Sequence, residues 1–222
     1  MLAVLVLGRA QDVGLWFDMV ISNLAALGAA TAGPIRILAL GDSLTAGYML
    51  NPGDAFPAKL ETALKAKGYD VRLINAGVSG DTTAGGRARL SGALADKPDR
   101  AIVELGINDA LCGVDPARVR DNLDAILSEL TARGVDIFLA GMIAPHDMGP
   151  DYAGAFDAIY PGLQKKYRVP LYPFFLDGVL EQPAFTFYDG LHPTAAGIDV
   201  IVAGILPHIE RWLGTPPGCV RP

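Results

Sequence analysis

The chain is poor in the residues that most often mark metal, redox or polyanion sites. Two cysteines, Cys112 and Cys219, occur in 222 residues. That is too few for a disulfide scaffold, and the pair lacks metal-ligand spacing, so at most one bridge can form and neither cofactor nor metal is expected. Basic charge is also scarce: 18 Lys and Arg against 24 Asp and Glu leave a formal charge of −6 with no basic cluster. Such a chain has no field to hold nucleic acid or an anionic membrane surface. It has no Gly-rich phosphate loop or dinucleotide fingerprint. The Gly-x-Ser-x-Gly elbow is absent too, which argues against the α/β-hydrolase arrangement. Internal repeats and low-complexity tracts are missing.

Apolar residues, by contrast, make up 51% of the chain, enough for one sizeable core at a length suited to a single domain. Residues 1–34 differ from the rest. "VGLWFDMVISNLAALGAATAG" is mainly apolar and ends in small residues, like the back half of an export signal. Arg9 is the only base before it and Asp18 interrupts it, so a membrane anchor or an amphipathic surface helix stays open. The favoured reading is a signal cleaved near Ala30 to Gly33, hence a periplasmic or secreted protein with no stable membrane partner afterwards. The expected domain is 35–213, followed by a loose tail, 214–222.

Within that domain short apolar runs alternate with longer periodic segments. "IRILAL" (35–40), "VRLINA" (71–76), "AIVELG" (101–106), "DIFLAG" (136–141) and "VPLY" (169–172) read as buried strands. "AFPAKLETALKAKG" and "PARVRDNLDAILSELTARG" carry helical spacing and end at glycines, and Asp115-Pro116 forms a cap and first-turn pair. Alternation of this kind predicts a parallel sheet with helices on both faces, whose ligands bind beyond the carboxyl ends of the strands.

The polar residues after each run therefore carry the functional argument. Ser43, in "ILALGDSLTAGY", either caps a helix or is a nucleophile. A nucleophilic serine needs a base, a group to orient it, and donors for an oxyanion. Three histidines compete for the role of base. His208 sits in a helical segment at the surface or edge, while His146 follows a strand and stays open. His192, in "YDGLHPTAAG", is preferred because Asp189, three residues earlier, can reach its ring and fix the tautomer. Pro193 can start the last helix, which Asp189 and His192 could also simply cap. Gly80 can turn its N–H toward a ligand and Asn108 offers a neutral amide, which with the Ser43 N–H makes a three-donor hole. Asp42, Asp81 and Asp109 are assigned structural hydrogen bonds.

"GDSL" at Ser43, "GVSGDTT" at Gly80, "GIND" at Asn108 and "DGLH" at Asp189 and His192 resemble, in order, the four blocks of the SGNH (GDSL) hydrolases. "NAGVSGDTTAGG" and "FDAIYPGLQKKYRVPLYPFF" are most similar to the bacterial multifunctional thioesterase/protease/lysophospholipase group, often called arylesterases. Ile107 stands where the family pattern has Ala. The resemblance implies a three-layer α/β/α flavodoxin-like fold with a five-stranded parallel sheet. It also implies catalysis by Ser43, His192 and Asp189, with an oxyanion hole of Ser43, Gly80 and Asn108.

The expected activity is hydrolysis of carboxylic esters, and of thioesters, through an acyl-enzyme on Ser43, the partner being a small-molecule ester or thioester. Met148, Tyr152 and Phe156, in the loop 143–160, are expected to contact the acyl or aryl group, with ordinary core packing as the other reading, at least as strong for Phe156. The alternative is a carbohydrate acetyl-esterase with the same triad, and a non-catalytic binding module ranks behind both.

Overall fold

The five apolar runs form one parallel sheet. Its strands are β1 (Ile35–Gly41), β2 (Val71–Gly77), β3 (Arg100–Glu104), β4 (Asp136–Ala140) and β5 (Leu171–Tyr172). The computed structural model describes residues 33–216, so residues 1–32 of the leader and 217–222 of the tail, with Cys219, lie outside the described residues. The strand order is β2-β1-β3-β4-β5. β1, β3 and β4 are buried over most of their length because helices cover both faces, which explains why these runs show no in-and-out alternation.

The helices are α1 (Ser43–Ala46), α2 (Phe56–Ala66), α3 (Thr83–Ala93), α4 (Ile107–Leu111), α5 (Pro116–Ala132), α6 (Pro150–Asp157), α7 (Ile159–Tyr167) and α8 (Ala195–Leu213). The chain passes from β1 to β2 in one direction through α2 and from β2 back across to β3 through α3. Right-handed crossovers in opposite directions put those two helices on opposite faces. Accordingly α2 packs with α8, and α3 packs with α5, which also meets α7. This is the three-layer α/β/α arrangement expected from the sequence.

In α5 the local causes are plain. Asp115 Oδ1 accepts the Ala117 N–H at 2.8 Å, Pro116 supplies the first turn, and Gly134 follows the helix with φ +72°, a conformation a side chain would strain. Val119, Leu123, Ile126, Leu127 and Leu130 form its buried stripe. Leu123→Ala should destabilise by about 3 kcal/mol through the lost transfer energy and the cavity left behind. The start of α8 differs from expectation. Thr194 is its cap, accepting the Gly197 N–H at 3.3 Å, while Pro193 pairs with Thr186 in an antiparallel bridge. Asp189 and His192 thus lie in a separate turn and do not cap the helix.

The sheet register places the site. Gly77, Gly41, Glu104, Ala140 and Tyr172 are aligned across the sheet and make one C-terminal rim. The direction of winding reverses between β1 and β3, the position where open α/β sheets leave a crevice. Ser43 follows β1 and Asn108 follows β3 at that crevice.

Candidate active site

Ser43 is the first residue of α1 and is 6% exposed. Asp42 caps the turn by accepting the Leu44 N–H at 3.0 Å. Because α1 has four residues, individual N–H groups rather than a helix dipole must serve any anion here. His192 Nε2 lies 2.9 Å from Ser43 Oγ, and His192 Nδ1 lies 2.7 Å from Asp189 Oδ2. The other carboxylate oxygen of Asp189 accepts the backbone N–H groups of Leu191 and His192, both at 3.0 Å. One aspartate thus shapes the turn and orients the ring. A carboxylate at Nδ1 favours the tautomer with its proton there, leaving the Nε2 lone pair for the serine hydroxyl. Burial pushes the Asp189 pKa up, but the His192 backbone and ring and the Leu191 N–H outweigh it and hold the carboxyl below its ordinary value. The Tyr48 ring lies 4.6 Å from the His192 ring, centroid to centroid, and closes the site on one side.

Gly80 has φ +80°, in a turn closed by the Asp81 N–H on the Val78 carbonyl at 3.0 Å, so a side chain there would be strained. Neither the Ser43 nor the Gly80 N–H donates to another group of the described residues. Asn108 Nδ2 donates to the Asp81 carbonyl at 2.9 Å and to Asp42 Oδ2 at 3.2 Å. These bonds hold the amide beside Ser43's turn, and an incoming oxyanion would compete with the longer of the two.

The three aspartates assigned structural work all make bonds. Asp42 is described above. Asp81 pairs with Arg89 at 2.6 Å, and Asp109 accepts from the Thr83 N–H at 2.7 Å and its hydroxyl at 2.6 Å. Burial raises the Asp109 pKa even though both Thr83 bonds oppose it. For Asp42, burial is again the largest cause, and with the Asp81 and Asp109 charges it pushes the pKa to about 7 against the Leu44 and Asn108 bonds.

Neither of the other histidines bonds the serine. His208 lies on α8 with its ring edge-on to Tyr172 at 5.2 Å, and its pKa is lowered by burial and then by Arg211. His146 opens a short turn, His146–Met148, at the wall of a cavity of about 570 Å³. Ile107, Leu111, Ile143, Phe174, Leu180 and Leu191 give that cavity an apolar lining, and His192 and Asp189 line it too.

The expected contact residues are placed as follows. The loop beginning at Ile143 does line the cavity, but Met148, Tyr152 and Phe156 do not. Phe156 is fully buried between Tyr152 and Tyr160, with ring centroids at 6.0 and 5.9 Å. Tyr152 donates its hydroxyl to the Val114 carbonyl at 2.9 Å, and Met148 leans on Gly113.

Sequence reasoning missed Arg89 and Glu104. Arg89 ties three segments together, donating from Nε to Asp81, from Nη1 to the Ala76 carbonyl at 2.7 Å and from Nη2 to the Gly41 carbonyl at 2.8 Å. Glu104 is a buried acid inside the run "AIVELG", and a lone charge in a buried strand was a readable signal.

A serine, an imidazole and a carboxylate joined in series at the rim of a parallel α/β sheet is the arrangement of a serine hydrolase. The comparisons agree. Residues 39–200 match the GDSL-like lipase/acylhydrolase family, and the chain belongs to that family of ester-hydrolysing enzymes. It is 39% identical to an arylesterase of Vibrio mimicus, over 75% of this chain and 84% of that one. With the thioesterase 1/protease 1/lysophospholipase L1 of Escherichia coli (strain K12) it shares 40% identity, over 71% and 74% of the two chains. The crystal structure of AlinE4, an SGNH-hydrolase family esterase, is similar with a TM-score of 0.69 and 48% identity, covering 83% of this chain and all of that one.

Proposed function

We propose that the protein hydrolyses carboxylic esters, and thioesters on small uncharged carriers, through an acyl-enzyme on Ser43. His192 takes the Ser43 proton as Oγ attacks the carbonyl carbon. It returns that proton to the departing alcohol or thiol, then serves as base for the water that releases the acid. Asp189 keeps the ring in the accepting tautomer and stabilises the imidazolium. The Ser43 and Gly80 N–H groups and the Asn108 amide stabilise the oxyanion. The observation that carries this reading is the unbroken series Asp189–His192–Ser43 at 2.7 and 2.9 Å.

The site's surroundings favour an uncharged, apolar acyl or aryl group. The cavity beside His192 is lined mainly by aliphatic side chains. Among the described residues, the exposed large hydrophobics Tyr48, Met49, Val78, Leu111, Ile143 and Tyr188 all lie in segments of the strand-end rim, Leu111 at the end of α4 and the others on its loops. Residues 42–55, 78–82, 105–115, 141–157 and 173–194, which build that rim, contain no Lys or Arg, whereas each segment contains Asp or Glu. Phosphate-rich carriers would meet a repulsive field there. The apolar leader 1–34 fits export, so the proposed place of action is the periplasm or outside the cell.

A fluorophosphonate probe should label the parent at Ser43 and leave Ser43→Ala unlabelled. p-Nitrophenyl esters of short to medium acyl chains should be better substrates than acetylated sugars. Labelling at another serine, or a clear preference for the sugars, would defeat this reading.

A further inference from the structure

Under the nucleophile's turn lies a carboxyl group that the mechanism above leaves without a task. Glu104 ends β3 in register with Gly41 and is 1% exposed. Its Oε2 accepts the Thr45 hydroxyl at 2.7 Å, while Oε1 is buried without a hydrogen-bond partner. The fit is close: a Cβ built on Gly41 would stand 2.6 Å from Glu104 Oε2 and 2.1 Å from Thr45 Oγ1. Gly41 is therefore bare because Glu104 and Thr45 fill the space beneath the turn.

The groups around it are acids or phenols. Asp42 precedes α1, the buried Tyr160 of α7 donates to the Leu105 carbonyl at 2.9 Å, and Asp109 on α4 and Asp81 after β2 act in turn on Asp42. Arg89, the cation of this region, has its donors on Asp81 and on the Ala76 and Gly41 carbonyls. Burial first, and the charge of Asp42 second, push the Glu104 carboxyl well above its ordinary value, opposed only in part by Thr45 and nearby backbone N–H groups. An ionised carboxylate with one unsolvated oxygen would be costly here. It would also put negative charge next to the position where alkoxide and oxyanion develop, which disfavours the transition state.

We propose that Glu104 is a positioning residue that works as the neutral acid, its Oε2 holding the Thr45 hydroxyl and so fixing where Ser43 Oγ and the Ser43 N–H point. The inference rests on Ser43 being the nucleophile. Thr45 is two residues beyond it within α1, so a turn unpinned at Thr45 is free to rotate at Ser43. A nucleophile misaimed by a fraction of an ångström weakens the chemical step and leaves ground-state binding nearly intact.

The test compares variants on a water-soluble ester. Glu104→Ala and Thr45→Val should each lower kcat about 10- to 100-fold with KM little changed. Glu104→Gln, the uncharged isostere of the neutral acid, should rescue the Glu104→Ala loss to within about threefold of the parent, and Thr45→Ser should likewise rescue Thr45→Val. An infrared difference spectrum of parent minus Glu104→Gln at about pH 8 should contain a protonated-carboxyl C=O band. The proposal is overturned if that band is missing, if folded Glu104→Gln loses as much kcat as Glu104→Ala, or if Thr45→Val keeps the parent's kcat. Should Glu104→Ala fail to fold, Thr45→Val and the infrared band still decide. A parent that no fluorophosphonate labels at Ser43 would overturn the positioning role together with the nucleophile, a failure that the labelling distinguishes from the others.

Discussion

Asp189 performs two tasks with two oxygens, and a pair of substitutions separates them. Oδ1 accepts two backbone N–H groups at 3.0 Å, and Oδ2 accepts from the His192 ring at 2.7 Å. In Asp189→Asn the carbonyl oxygen must stay on the two N–H groups, because turning the amide over would face donors with donors. The side-chain N–H2 then points at His192 Nδ1 and holds the ring in the tautomer with its proton on Nε2. That nitrogen cannot accept the Ser43 proton, and kcat should fall roughly 10,000-fold, about 5.5 kcal/mol of barrier. The turn survives, so the melting temperature should change little. Asp189→Ala keeps both tautomers accessible but loses both backbone bonds. The side chain is 30% exposed, so solvent screening reduces the loss per bond to about 1 kcal/mol, and about 2 kcal/mol together should lower Tm by roughly 4–8 °C. Asp189→Asn should therefore be the more stable of the two and at least as inactive. Steady-state kinetics and thermal melts on both proteins test this. An asparagine variant markedly more active than the alanine one, or an alanine variant melting with the parent, would refute the two-oxygen account.

What the sequence disclosed follows the range of the interactions. Strands and their order of appearance were legible because each apolar run is a local signal, although β2, at the sheet edge, is mostly part-buried rather than buried as expected, and the rim then follows from parallel topology. Asp189 and His192 are three residues apart, so their contact could be argued from one turn. Ser43 could be matched to His192 by the pattern of motifs although the two lie 149 positions apart. Glu104 with Thr45 and Arg89 with Gly41 join positions 59 and 48 apart, and nothing local marks the partner. The contact residues were left open between two readings, ligand contact and core packing. Phe156 and Tyr160 are buried on two successive helices, with the part-buried Tyr152 stacked against Phe156, a packing that their apolar chemistry alone does not separate from ligand contact. The cavity draws on three rim segments, so its wall could not be read from any one of them.

Ser43→Ala and His192→Ala should be about equally damaging, and the double variant scarcely worse than either, since members of one catalytic unit are not additive; multiplicative losses would separate them. Leu111→Asp or Ile143→Asp should depress hydrolysis of longer p-nitrophenyl esters more than of acetate, by up to about 0.8 kcal/mol per methylene no longer buried, whereas Met148→Asp should leave the chain-length profile in place. Asp42 makes the fold's stability depend on pH in an unusual direction. Its pKa rises from 3.8 to about 7 on folding, mainly through burial, so the native state binds this proton more tightly than the unfolded chain does. Stability from that source is fully present below about pH 4 and is lost as pH climbs to about 7, at about 1.4 kcal/mol per unit, or about 4 kcal/mol in all. Asp189, whose pKa is lowered, works in the opposite sense, losing its contribution as pH falls. Asp42→Asn isolates the first effect. The variant should be less stable at acid pH, because its amide would face the Asn108 amide donor to donor, but the gap between parent and variant should shrink steadily between about pH 4 and 7. Urea midpoints measured across that range give the gap directly. A gap that stays constant or widens with pH would show that Asp42 ionises in the fold as it does in the unfolded chain, and the account of a buried, crowded carboxyl beside the nucleophile would have to be abandoned.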